Sequence, residues 1–178
     1  MRRAKGLTLV EMLVVVALLA VGATLAAPTF GGLLRDTRRA AALTALSHAL
    51  HAARTAAAAS GRSMRVCGTR DGRSCSGDAH WGPGLLQRPA AGATGEADAL
   101  VRVTALPDGR GAPLVRANRP FIDFAPLAPS ATTATITVCD DRGPAAARAL
   151  IVSRTGRLRV SDRSASGEPL ACPRDPGP

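Results

Sequence analysis

The chain has 178 residues, room for one anchor helix and one modest soluble domain. Its 23 basic residues against 13 acidic ones leave a formal charge of +10, a balance that favours acidic partners such as nucleic acid or anionic lipid. One tryptophan, three phenylalanines and no tyrosine leave an aromatic platform for stacking bases unsupported. Of the basic residues only Lys5 is a lysine. Arginine suits bidentate phosphate binding, although a GC-rich genome would also favour it, along with the abundant Ala, Gly and Pro.

The first element begins with a basic leader, Met1 to Gly6, carrying Arg2, Arg3 and Lys5. Residues 7–27 follow as a run of twenty-one in which Glu11 is the one charged side chain. That length spans a bilayer as a helix, and the leader charges would stay cytoplasmic. A secretory signal has its small residues after the apolar core; here Gly6 precedes it, so cleavage at that point retains the hydrophobic helix. A carboxylate inside such a run is costly and calls for a functional partner.

This arrangement of basic leader, Gly6, Thr8, Glu11 and unbroken apolar run resembles the class III signal of type IV pilins and pseudopilins. The resemblance implies that a prepilin peptidase cuts between Gly6 and Leu7, leaving 172 residues and lowering the formal charge from +10 to +7. It further implies that Glu11 neutralises the terminal amine of a neighbouring subunit during filament assembly. Leu7 departs from the usual phenylalanine but keeps the apolar character. The implied location is the inner membrane, crossed once, with the rest of the chain in the periplasm before it enters a filament of other pilins or pseudopilins.

Residues 28–61 read as the second half of the helix. Pro28, Gly31 and Gly32 predict a kink or loosening near the membrane exit. Leu43, Leu46, Leu50, Ala53 and Ala57 then recur at spacings of three and four, the apolar seam of an amphipathic helix. Arg35, Arg38 and Arg39 precede the seam and Arg54 lies off it. Ser60-Gly61 closes the helix, with glycine suited to the left-handed position.

From residue 62 to 178 the pattern changes to short strands and turns. Strands are expected at 63–67, 100–106, 121–124, 133–139, 149–153 and 157–160, with a polar glycine-rich loop at 69–84 and a Pro107-Asp108-Gly109 turn. Arg154-Thr155-Gly156 joins the last two strands as a hairpin. The tail beyond Ser161 is polar and irregular.

Four cysteines, Cys67, Cys75, Cys139 and Cys172, all lie beyond the apolar run, which suits an oxidising compartment and two disulfides. Three pairings are open. Cys67 with Cys75 would close a short polar loop, and Cys139 with Cys172 would tie down the tail; this is the favoured pairing. Zinc is the alternative, but no CxxC pair occurs and His48, His51 and His80 do not alternate with the cysteines at ligand spacing. No metal or other cofactor is expected. Nor is an enzyme: no Ser/His/Asp or Cys/His constellation is in context, and Glu11 belongs to the apolar segment.

The order of long helix, then small β-rich domain, resembles the GspH/FimT family of minor pilins and pseudopilins. SGRSMRVCGTRDGRSC matches its first strand and cysteine loop, HWGPG its Gly/Trp strand, and ALIVSRTGRLRV its terminal hairpin. The implied fold is α+β, a type IV pilin-like long helix packed on a small antiparallel sheet domain. Gly156–Arg159, GRLR, fits the GRxR pattern associated with DNA binding in FimT-type pilins. On a strand Arg157 and Arg159 share a face about 7 Å apart, with Arg154 close by at the turn, while Leu158 and Val160 anchor the hairpin to the core. The implied function is a minor pilin that binds DNA non-specifically during uptake for natural transformation. The alternative is a GspH-like pseudopilin of a type II secretion system with a structural role alone.

Overall fold

The computed structural model describes residues 8–90, 102–126 and 130–172, with the side chains of 23–29 left out. Gly6 and Leu7, the expected cleavage pair, lie outside the described residues. Helix α1 runs from Leu9 to Ser60. It is helical on both sides of Pro28, where a kink or loosening is expected from sequence. Two compact units meet within this helix, the first ending at Asp36 and the second beginning at Thr37.

In the first unit the apolar side chains from Leu9 to Val21 are exposed, Leu9 at 77% and Leu19 at 68%. Among the described residues no helix is long and apolar enough to cross a membrane. The expected span at 7–27 extends at both ends into positions that are not fully described.

In the second unit the seam of α1 is buried from Leu46 onward, while Leu43 is half-buried against the same core. Leu46, Leu50, Ala53 and Ala57 are fully enclosed, joined by Ala42 and Ala49. The leucines and alanines of the seam share one core with both sheets, and each enclosed leucine contributes about 1.5–3 kcal/mol of transfer free energy. Gly61, at φ 65°, ends the helix in the left-handed conformation.

Eight strands follow: β1 (Met64–Thr69), β2 (Gly84–Pro89), β3 (Arg102–Ala105), β4 (Leu114–Ala117), β5 (Phe121–Phe124), β6 (Ala134–Cys139), β7 (Arg148–Val152) and β8 (Leu158–Ser161). They form two antiparallel sheets of four, ordered β3-β2-β1-β5 (sheet A) and β4-β6-β7-β8 (sheet B). Alternate residues of both sheets enter one core with the helix: Val66, Leu85 and Ile122 from sheet A, and Val115, Ile136 and Leu150 from sheet B.

Strands β2 and β4 fall in stretches not read as strands from sequence. Leu85, Leu86 and Gln87 of β2 are all buried, so its sequence lacks the alternation that marks a half-buried strand. Segment 79–81 joins the sheets, because the Trp81 amide donates to the Val115 carbonyl and the Ala117 amide to that of Ala79, at 3.0 and 2.8 Å.

A second, smaller apolar cluster lies on the outer face of sheet B. There Leu170 of the tail covers Ala149 and Ile151, beside Cys139.

Candidate functional site

The terminal hairpin is built by β7 and β8, with Leu150 opposite Val160, Ile151 opposite Arg159 and Val152 opposite Leu158. Its turn closes where the Gly156 amide donates to the Ser153 carbonyl at 2.9 Å, and the Ser153 amide to the Arg157 carbonyl at 3.0 Å. Gly156 has φ 73°, a conformation that disfavours any side chain. A Cβ there would also meet the Phe124 ring at 3.5 Å and the Arg54 side chain at 3.6 Å. The Ser153 hydroxyl accepts from the Arg157 amide at 3.0 Å. From outside the hairpin, the Arg154 carbonyl accepts from the Ala131 amide at 2.7 Å, and Arg54 of α1 donates to the Gly156 carbonyl at 3.4 Å. The glycine of GRLR is thus needed for the turn itself.

Arg154, Arg157 and Arg159 are all exposed. Arg159, opposite Ile151, is on the outer face of sheet B, and Arg157 is two positions before it on the same face. Leu158 takes the inner face and packs against the core. Val160 does not anchor the hairpin: it is 55% exposed. The reason is its place on β8, the edge strand, where no further strand flanks it. Among the described residues of the β-rich unit, Trp81 and Phe124 are buried, and Phe121 lies under Arg65 with 3.7 Å from guanidinium to ring centroid, so none of these three rings is free to stack on a base.

The remaining polar clusters have structural work. Arg65 holds Asp123 through two bonds of 2.8 Å across β1 and β5, and that hydrogen bonding raises its pKa. Cys67 is bonded to Cys75 and Cys139 to Cys172. Inside the first of these loops Asp71 accepts from the amides of Ser74 and Arg73 and from the Ser74 hydroxyl, which pulls its pKa down. Asp78 is lowered chiefly by Arg70, at 2.6 Å, and Asp140 chiefly by Arg142, also at 2.6 Å. Asp140 also faces Arg39 of α1 at 3.7 Å.

A groove of about 680 Å³ lies between the loop after the first disulfide and the 107–113 turn, with Arg70, Asp78, His80, Asp108 and Arg116 on its walls. His48 and His51 are exposed on α1. Among the described residues no group of three His, Cys, Asp or Glu side chains is placed to hold a metal ion.

At the start of α1, the Thr8 hydroxyl accepts from the Glu11 amide at 3.3 Å, and the Thr8 carbonyl from the Met12 amide at 3.2 Å. Thr8 is therefore the helix cap and Glu11 the third helical residue, the T-x-x-E order of a capping box. This local signal was present in the sequence beside the reading of Glu11 as an assembly residue. The carboxylate also lies in the first turn, where the helix dipole favours negative charge.

Residues 1–27 match the family model described as the prokaryotic N-terminal methylation motif. Residues 42–156 match that of the type II transport protein GspH. No curated protein matches the chain in a sequence comparison. Among solved structures, the type IV minor pilin FimU of Pseudomonas aeruginosa PAO1 has the same fold in two crystal forms. In the first the TM-score is 0.53 at 20% identity, with 75% of this chain and 98% of FimU covered. In the second it is 0.53 at 19% identity, with 78% and 96% covered. The long helix followed by antiparallel sheets is the type IV pilin fold. With a GspH match over most of its length behind a pilin-type N-terminus, the chain belongs to the GspH/FimT family of minor pilins and pseudopilins.

Proposed function

We propose that this pilin is assembled into a type IV pilus as a minor subunit and binds DNA there, without sequence preference, during uptake for natural transformation. The observation that carries the DNA reading is the hairpin: Arg157 and Arg159 are exposed on one face of an edge strand whose turn is fixed from three sides. Guanidiniums held this way grip phosphates and read no base edges. The excess of arginine over acidic residues adds to the attraction. Processing between Gly6 and Leu7 by prepilin peptidase, single-pass anchoring in the inner membrane by residues 7–27, and a role for Glu11 between subunits complete the reading.

The test is a salt titration of duplex binding by the full chain in neutral detergent, beside an Arg157→Ala, Arg159→Ala variant. Wild-type affinity is expected to fall steeply with salt as condensed counterions are released, and the variant to lose most of it with its fold unchanged. Equal binding by both at every salt concentration refutes the hairpin as the site. The second reading is a pseudopilin of a type II secretion system with no DNA role, favoured by the GspH description of the matching family model. It becomes the better one where the wild-type chain does not bind even at low salt.

A further inference from the structure

The outer face of sheet B extends the hairpin into a larger surface. Burial of Ala134, Ile136 and Val138 in the core sends Thr133, Thr135 and Thr137 of β6 to the outer side. One row across the sheet therefore reads Arg116, Thr137, Ala149, Ser161, and the next Thr135, Ile151, Arg159. Beyond β4, Asn118 is tied to Thr135 by two bonds, 3.0 Å from its amide and 2.9 Å to its side-chain oxygen. Arg119 then donates from Nε to the Thr133 carbonyl at 2.9 Å. This holds its guanidinium beside the end of β6. A third row thus runs from Arg119 over Thr133 and Ser153 to Arg157. Only the third row has arginines at both ends with hydroxyl side chains, Thr133 and Ser153, between them; the centre of the other two is Ala149 and Ile151, and none of these positions is a carboxylate. Leu170 covers Ala149 and Ile151, but Thr133, Arg119, Arg157 and Arg159 are exposed.

We propose that this face is one phosphate-binding platform for duplex DNA, in which Arg119, supported by Arg116, forms a second anchor opposite the hairpin arginines. The inference rests on the DNA reading above and adds the partner's footprint. Three strand spacings separate the β4 margin from β8, about 14 Å, which corresponds to about four base-pair rises along the axis of a duplex. Backbone contacts at two separated points set the orientation of the duplex on the sheet, and a hydroxyl floor accommodates any sequence.

The experiment measures binding of a short mixed-sequence duplex by the full chain in neutral detergent as salt is varied. Arg119→Ala should weaken binding several-fold and lower the salt slope by about one, as for a lost phosphate contact. Thr133→Asp, which leaves every arginine in place, should weaken it as well by putting a carboxylate in the floor. Arg88→Ala with Arg102→Ala, on sheet A, removes two charges elsewhere and should cost less than the single Arg119 change. If Arg119→Ala and Thr133→Asp both match wild type while the hairpin variant is impaired, the platform is refuted and the hairpin site stands. A loss in the sheet A variant as large as that of Arg119→Ala also overturns it, since net charge alone would then explain binding. If the wild-type chain does not bind, both readings fall together.

Discussion

At Gly68 the chain has no room for a side chain. A Cβ would sit 2.7 Å from the His80 carbonyl oxygen and 2.8 Å from the Trp81 Cα, both main-chain atoms that carry the junction between the sheets. Gly68→Ala should therefore destabilise the domain by about 1–3 kcal/mol, the range for overpacking, measured by chemical denaturation. A retained denaturation midpoint would show that segment 79–81 yields. The hairpin offers a paired test of facing. Leu158 packs on the core, so Leu158→Asp should cost about 1–3 kcal/mol by burying a carboxylate. Val160, 55% exposed, should accept Asp for less than about 1 kcal/mol. Equal costs would contradict the inward packing of Leu158. Periodicity alone made these two residues equivalent, because alternation reports which face a residue takes; whether that face is covered depends on the strand's place in the sheet. Gly156 was legible at the same scale, since a tight hairpin after a strand needs positive φ.

Among elements, the most legible was the second half of α1, where leucine and alanine recur at helical spacing. Strands β5, β6, β7 and β8 were legible too, each found within a residue or two of its expected limits. Strands β2 and β4 were not. In β2 both faces are covered, so Leu85 and Leu86 are apolar side by side and Gln87 is buried with them. The edge strand β4, Leu-Val-Arg-Ala, is too short to establish a period. The candidate arginines were identifiable as a motif, but the opposite margin at Arg119 emerges only from strand order, which sequence spacing does not encode. The tail depends on a covalent tie. Cys139 and Cys172 are 33 residues apart in sequence, and closing such a loop stabilises by about 3–4 kcal/mol in the chain-entropy model. Cys139→Ser with Cys172→Ser should lose stability of that order and expose Ala149 and Ile151, detected as increased hydrogen exchange in β7. Unchanged exchange there would show that Leu170 holds the tail without the bond.

For the whole molecule, acid is the informative perturbation. Asp71, Asp78 and Asp140 all have pKa values below the ordinary carboxylate range. An unfolded aspartate takes up its proton near pH 3.9, whereas these stay ionised to lower pH in the folded chain. Their contribution is complete above the unfolded value and is lost as pH falls below it toward the folded ones. The stability these three carboxylates contribute should be constant from neutral pH down to about 5 and decline below about 4, read by acid titration of the denaturation midpoint. Replacing Asp140 by Asn should flatten that decline, because its side chain is 5% exposed between Arg142 and Arg39. An unaltered acid profile in the variant would assign the decline to other groups.

The position of Trp81 makes this pilin its own spectroscopic probe. The chain has no tyrosine and a single tryptophan, fully enclosed where the sheets join, with its indole N–H donating to the Arg119 carbonyl at 3.2 Å. All fluorescence excited in the red edge of the protein band therefore comes from one ring in one environment. Emission should be blue-shifted in the folded domain and move to longer wavelength only as that junction opens, so even the subunit within a larger filament preparation can be followed if its neighbours lack tryptophan. Because the acceptor of the indole is the main chain of Arg119, the same signal connects the interior of the domain to the margin of its outer face.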